Sequence, residues 1–317
     1  MPTARRITLS TWPTPLEPAP RLSAALGLRP DDLWVKRDDL SGLAGGGNKI
    51  RKLEYTCAAA VDAGAEVLVT SGAPQSNHAR LTAAAAARLG LSAVLVLEGD
   101  PPSSERGNLL LDRLLGAEVT WAGEVDAAGL AAAVTAQVEQ LRGSGRRVYE
   151  VPFGGSSPLA AHGYLDAADE LRQQTPGLAH LVVALGSGGT MAGLVAGLGA
   201  ERVLGVHTGA VEQPTETVQE LLAGMGAGAG ASLRIRQDQV GAGYGTLTDA
   251  VHHALRLAAR TEGLVLEPTY TGRALAGLVA AVADGDIAPG SQVVFLHSGG
   301  LPGLFGHPEL ARLAEGS

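Results

Sequence analysis

The sequence predicts an α/β protein: two open, twisted parallel sheets with helices on both faces and a cleft between them. Three observations carry that expectation. Apolar runs of strand length alternate with longer helical segments along most of the chain, the pattern of βαβ units whose strands are covered on both faces. A run of turn formers, Pro152 to Pro158 (PFGGSSP), interrupts that rhythm near its middle and marks a domain boundary. The 44 glycines are dispersed without a collagen-like period, and 45% hydrophobic residues stand against 3% aromatic, so the core is built from Ala, Val and Leu.

In chain order, residues 11–22 (TWPTPLEPAPRL) carry four prolines and read as an extended surface arm rather than a helix. Leu33 to Lys36 is strand-like. Three consecutive glycines, Gly45 to Gly47, then lead to Asn48 and Lys49, where a helix is expected to start and to end at Gly64. Strands follow at Glu66–Thr70, Ala93–Leu97, Glu118–Trp121 and Arg147–Val151, separated by helices Ala79–Leu89, Ser104–Leu115 and Leu130–Arg142. Beyond the break come helix Leu159–Gln173, strand His180–Leu185, helix Thr190–Leu198 and strand Arg202–His207. Helices around Glu212–Ala223, Thr248–Thr261 and Gly272–Ala283 precede a last strand, Gln292–His297. Gly224–Ala231 is Gly/Ala low complexity and reads as a flexible surface loop.

Composition excludes several classes of function. A formal net charge of −8 without a basic cluster argues against nucleic acid. One cysteine, Cys57, allows no internal disulfide and fits a reducing cytosol; it reads as a packing residue. No apolar run reaches membrane-spanning length, and the N-terminus lacks the apolar core of a secretory signal. A soluble cytoplasmic enzyme is expected, with no metal site.

Six stretches carry candidate chemistry. Lys49 and Lys52 lie one helical turn apart and project from one face, so a flat anionic cofactor resting on the glycines meets one by chemistry and the other by charge. Gly186, Ser187, Gly188, Gly189 and Thr190 follow an apolar strand and open a helix, where backbone N–H groups favour a phosphate; a tight turn is the plainer alternative. Ser76, Asn77 and His78 sit between a strand end and a helix start, placed to face a crevice or merely to cap the helix. Glu267 and Tyr270, the loop Gly241–Gly245 (GAGYG) and His297–Gly300 (HSGG) are each either site or turn, and His252–His253 reads as solvent-facing.

Together these stretches resemble the fold-type II pyridoxal-phosphate enzymes, and within them the D-cysteine desulfhydrase and 1-aminocyclopropane-1-carboxylate (ACC) deaminase family. Seven motifs carry the resemblance in the family's order through nearly the whole chain: TPLEPAPRLS, KRDDLSGLAGGGNKIRKLEY, GAPQSNHARLTAAAAARLG, ALGSGGTMAGL, GAGYG, EPTYTGRALAGL and FLHSGGLPGLF. It implies a tryptophan synthase β-like fold with the cofactor, pyridoxal 5'-phosphate, in the cleft. A large cofactor domain would comprise residues 1–52 and 159–317, and a small domain residues 53–158.

By the same resemblance Lys49 holds the cofactor as a Schiff base, Lys52 and Gly186–Thr190 hold its phosphate, and Asn48 or Asn77 lies by the ring, Asn77 being favoured for the phenolic oxygen. Ser76 and its neighbours, Asn77 and His78, receive the substrate carboxylate, Tyr270 stands over the reacting carbons, and Ser298 is a hydroxyl for the pyridine nitrogen. ACC deaminases carry Glu at the position of Thr271 and Gln at that of His78, which favours a lyase that converts D-cysteine to pyruvate, hydrogen sulfide and ammonia. ACC deaminase, L-cysteate sulfo-lyase and a non-catalytic binding protein are the rivals. The chain also departs from the family at Glu267 (more usually Asp), Ser298 (commonly Thr) and Leu81 (more usually Gln), the last expected near the substrate end of the crevice. The partner is a small amino acid, and the resemblance implies a homodimer.

Overall fold

The computed structural model describes residues 4–228 and 230–314; Ala229 of the Gly224–Ala231 segment and the first three residues of the N-terminus lie outside it. The first half runs β1 (Leu16–Pro18), α1 (Pro20–Ala25), β2 (Leu33–Arg37), α2 (Lys49–Asp62), β3 (Val67–Gly72), α3 (Asn77–Leu89), β4 (Ser92–Leu97), α4 (Asn108–Leu114), β5 (Glu118–Trp121), α5 (Ala127–Gly143) and β6 (Val148–Glu150). The second half runs α6 (Pro158–Gln174), β7 (Leu178–Leu185), α7 (Gly189–Leu198), β8 (Val203–His207), α8 (Pro214–Gly224) and β9 (Arg234–Arg236). It ends with α9 (Asp249–Glu262), α10 (Thr271–Ala283), β10 (Gln292–His297), α11 (Leu301–Gly306) and α12 (Leu310–Ala314).

The strands form two sheets, ordered β1-β2-β10-β7-β8-β9 and β5-β4-β3-β6. Every pairing is parallel except that of β1 with β2. The alternation of side chains along a strand explains why both faces read as apolar. On β7, Val182 and Ala184 face a core shared with α9 and α10, while Leu181, Val183 and Leu185 face one shared with α6 and α7. In the smaller sheet Leu68, Leu95 and Leu97 pack towards α2 and α3, and Val67, Val69, Val94 and Val96 pack towards α5. At roughly 25 cal/mol per Å² these faces supply most of the stabilisation.

Helix ends follow their cap residues. Ser76, Asp126, Ser157 and Thr248 each accept a backbone N–H at the start of α3, α5, α6 and α9. Gly90 and Gly263 take left-handed geometry at the ends of α3 and α9.

The proline-rich arm is corrected. Leu16–Pro18 pairs antiparallel with β2, and Pro20 opens α1, a position where its missing N–H costs nothing. Thr14, Ala19 and Leu22 are buried, so this segment covers the edge of the large sheet rather than lying loose on its surface. The residue 52/53 boundary falls inside α2, which runs unbroken to Asp62. Among the described residues no helix is long and apolar enough to cross a membrane.

Candidate active site

The carboxyl ends of β3, β4, β7 and β10 converge on one chamber of about 200 Å³, lined by residues of both sheets. This is where open α/β sheets leave a crevice for ligands.

The glycine loop before α2 is held from behind. Gly46 has φ +70°, and a Cβ there would collide with the Asp39 carbonyl, so only glycine fits. The Gly47 N–H donates to Ser41 Oγ at 2.9 Å and that of Asn48 to the Ser298 carbonyl at 2.9 Å. Arg80, fully buried on α3, donates to the carbonyls of Ala44 and Gly46 at 2.9 and 3.0 Å. On the other side of α2, Arg51 is clamped by Asp38 and Glu170 at 2.8–2.9 Å, and Lys36 also reaches Glu170, at 2.7 Å. Arg51 lies between Lys49 and Lys52, so the clamp fixes the turn from which both project.

The chain has only three lysines, Lys36, Lys49 and Lys52. Lys36 has a carboxylate partner; Lys49 and Lys52 form no ion pair among the described residues. Burial pulls Lys49 down to about 8, against a hydrogen bond with Lys52 that favours its charge. Lys49 is only partly covered, but the surface it shows fronts the chamber. Burial, together with the charge of Lys49, lowers Lys52 as well. Lys52 Nζ donates to the Gly154 carbonyl at 2.6 Å and to Ser156 Oγ at 3.0 Å.

Ser156 joins that lysine to the loop after β7. Its Oγ lies 2.8 Å from Ser187 Oγ and accepts the Gly189 N–H at 3.1 Å. A Cβ on Gly189 would stand 2.6 Å from Ser156 Oγ, so glycine lets the loop approach. Gly186, Ser187, Gly188 and Thr190 line the chamber, and Asn48 Nδ2 donates to Thr190 Oγ1 at 3.0 Å. Asn48 therefore faces this loop rather than Asn77. Three hydroxyls and the N-terminus of α7 meet a lysine here, a donor set for a phosphate.

On α3, Ser76 both caps the helix, accepting the Ala79 N–H at 3.1 Å, and lines the chamber; the cap uses a lone pair and leaves its proton. Asn77 Oδ1 accepts from Asn108 Nδ2 at 2.9 Å, while its Nδ2 makes no hydrogen bond among the described residues. His78 Nε2 lies 2.8 Å from Thr70 Oγ1, whose own proton goes to the Val151 carbonyl. That pattern puts the imidazole proton on Nε2 and leaves Nδ1, buried and unpartnered, as an acceptor. Burial, then the two nearby lysines, keep the ring neutral.

Tyr270 Oη meets Tyr244 Oη at 2.5 Å, with the rings edge-on at 5.9 Å. Burial raises both phenols, Tyr270 to about 12, so each keeps its proton at neutral pH. Ser298, at the end of β10, also lines the chamber. The structure thus brings the expected site residues together: Asn48, Lys49, Ser76, Asn77, His78, Gly186, Ser187, Gly188, Thr190, Tyr270 and Ser298 line the chamber, and Gly189 and Lys52 meet beside it on Ser156.

Leu81 does not follow expectation. It is fully buried in the core of the small sheet behind Gly47, not at the substrate end of the crevice. Glu267 is buried outside the chamber, accepting the N–H groups of Thr269, Tyr270 and Thr271 at 2.7–2.8 Å. Two residues the sequence left aside, Ser156 and Glu98, contribute, as does one residue of a loop it marked as site or turn. Tyr244 lies in the glycine loop GAGYG, Ser156 in the boundary segment, and Glu98 one residue past β4, where position at a strand's carboxyl end was the available signal.

A family model described as "Pyridoxal-phosphate dependent enzyme" matches residues 7–299. The chain belongs to this family. A protein named "Putative 1-aminocyclopropane-1-carboxylate deaminase" from Pyrococcus abyssi is 41% identical, over 96% of this chain and 94% of its own length. A D-cysteine desulfhydrase from Salmonella newport is 38% identical over 96% of this chain and 97% of its own. Among solved structures, an ACC deaminase homologue superposes with a TM-score of 0.89 at 36% identity, covering 98% of this chain and 97% of that one. An L-serine ammonia-lyase from Rhizomucor miehei shares the fold, with a TM-score of 0.68 at 19% identity over 95% of this chain and 97% of that one. The fold is that of the type II pyridoxal-phosphate enzymes, and the protein depends on that cofactor.

The residues present fit the cofactor. An amine of depressed pKa faces the chamber, as condensation with an aldehyde requires. A hydroxyl-rich helix N-terminus beside Lys52 suits the phosphate. The open Nδ2 of Asn77 suits an acceptor oxygen, and Ser298 offers a hydroxyl rather than a carboxylate.

Proposed function

We propose that this pyridoxal-phosphate enzyme is a β-elimination lyase that converts D-cysteine and water to pyruvate, hydrogen sulfide and ammonia. Thr271 carries the reading. The resemblance puts a glutamate at this position in ACC deaminases; here the threonine accepts the Glu267 N–H at 2.9 Å and does not line the chamber. Ser298 is left as the polar group for the pyridine nitrogen, and a ring so placed is a weak electron sink. Elimination tolerates that, because the departing sulfur takes the electron pair; opening a cyclopropane has no such outlet.

Pyridoxal phosphate supplies an aldehyde that takes up amines and a ring that delocalises the electrons freed at Cα. The chain's own groups do the rest. Lys49 would hold the cofactor, with Lys52, Ser187, Thr190 and the α7 N–H groups holding its phosphate. Ser76 and the first N–H groups of α3 would take the substrate carboxylate, with Asn77 and His78 beside them. The Lys49 amine, which burial holds below an ordinary lysine, would accept the Cα proton. Tyr270, hydrogen-bonded to Tyr244 and still protonated, would donate to the sulfur as the Cβ–S bond breaks.

Sulfide and pyruvate released in equal amounts from D-cysteine are the expected result. Release of 2-oxobutyrate from ACC without sulfide from D-cysteine would show a ring-opening deaminase instead.

A further inference from the structure

We propose that Glu98 selects the charge of the substrate side chain: the chamber accepts α-amino acids whose β-substituent is neutral or cationic and turns away those whose β-substituent is an anion. This rests on the reading of the chamber as an amino-acid site and narrows its substrate class.

Glu98 follows β4 directly, and its backbone N–H donates to the Gly72 carbonyl at 3.1 Å, which fixes it beside the loop that leads to Ser76. Gly99, next in the chain, bridges to Gly123 and holds the turn from the other side. Glu98 lines the chamber, half-buried, and among the described residues its carboxylate makes no hydrogen bond or ion pair. It does not cap, clamp or buttress anything. Burial raises Tyr244 and Tyr270, and the charge of Glu98 adds to that rise, which puts the carboxylate within electrostatic reach of the pair over the reacting carbons.

The rest of the wall offers no compensation. Among the described residues Lys49 is the one lysine on the wall and would be committed to the cofactor, and no arginine lines it. Lys52 lies behind the phosphate-binding loop, hydrogen-bonded to Gly154 and Ser156. His78 is neutral. Glu124 adds a second negative charge near the turn, since a Cβ on Gly99 would come within 3.6 Å of its carboxylate. A sulfonate or carboxylate on the substrate's β-carbon would therefore lose its hydration and meet a like charge with no cation on the wall to answer it, since Arg273, whose charge also reaches Tyr270, is buried outside the chamber and held by the carbonyls of Thr208, Gly243 and Thr246. A thiol, a hydroxyl, a methyl or an ammonium would not.

The test titrates holoenzyme with alanine and with cysteate of the same hand, following the absorption of the bound cofactor, in wild type and in Glu98→Gln. The ratio of cysteate to alanine affinity rises about tenfold in the variant, a change of about 1.4 kcal/mol. A ratio equal in the two proteins overturns the proposal, and so does sulfite release from L-cysteate by wild type at the rate of sulfide release from D-cysteine. Should Glu98→Gln fail to bind cofactor, Glu98→Met, similar in volume, reads the same ratio. The titration needs no turnover, so a protein that releases no sulfide from D-cysteine refutes the lyase reading while leaving this measurement intact.

Discussion

At the scale of single residues, the site depends on an amine that burial keeps close to neutrality. With its pKa near 8, half of Lys49 is uncharged at pH 8, whereas an ordinary lysine near 10.4 would be uncharged in roughly 0.4% of molecules. The neutral form is the nucleophile, so its reactivity rises with pH and levels off above about 8. In cofactor-free protein, labelling with an amine-specific reagent followed by peptide mass spectrometry should give a midpoint near pH 8 for Lys49. A Lys49 midpoint above 10 would contradict the electrostatic account of the site. The lysine and its glycines were legible in the sequence because covalent chemistry, close approach and helix start fall within a few adjacent residues. Glu98 and Ser156 were not. Glu98 lines the chamber and Ser156 braces the Ser187–Gly189 part of its wall, each through the meeting of segments far apart in the chain, and neither sits in a motif.

Among the elements, α3 is the one that ties the site together. Arg80 on its first turns holds the Ala44 and Gly46 carbonyls and reaches Asn108 at 3.0 Å, which in turn holds Asn77. Asp112 on α4 lies buried nearby without a partner for Oδ1, and burial raises its carboxyl to about 7 although the charge of Arg80 opposes this. Arg80→Met would leave two buried carbonyls without a donor and remove the larger of the two cationic influences on Asp112, that of Arg113 remaining. The expected cost is about 3 kcal/mol, read as a lower urea midpoint. Cofactor affinity should fall with it, since the loop before Lys49 and the Asn77 side chain lose the same support. A loss below 1 kcal/mol with unchanged cofactor affinity would show that α3 does not organise the loop. Sequence pattern located α3 well, because Ser76 and Gly90 punctuate an alanine-rich helix. It missed β9, whose three residues (Arg234–Arg236) are too short and too polar to stand out at a sheet edge, and it misread the segment of β1 and α1. There, prolines that exclude a helix interior are compatible with an edge strand and with the first turn of a helix.

For the molecule as a whole, two sheets with doubly covered strands set their carboxyl ends against one another, and the chemistry collects where they meet. This architecture was legible because strands buried on both faces are written as short apolar runs separated by capped helices. The chamber's membership was legible only in part, because it is a property of how the two sheets face each other. With only three lysines in the chain, Lys49 as the covalent anchor within that chamber is directly testable. Borohydride reduction of the holoenzyme, followed by peptide mapping, should place the phosphopyridoxyl mass on Lys49 and on neither Lys36 nor Lys52. The same mass on Lys52, or on no lysine, would contradict it.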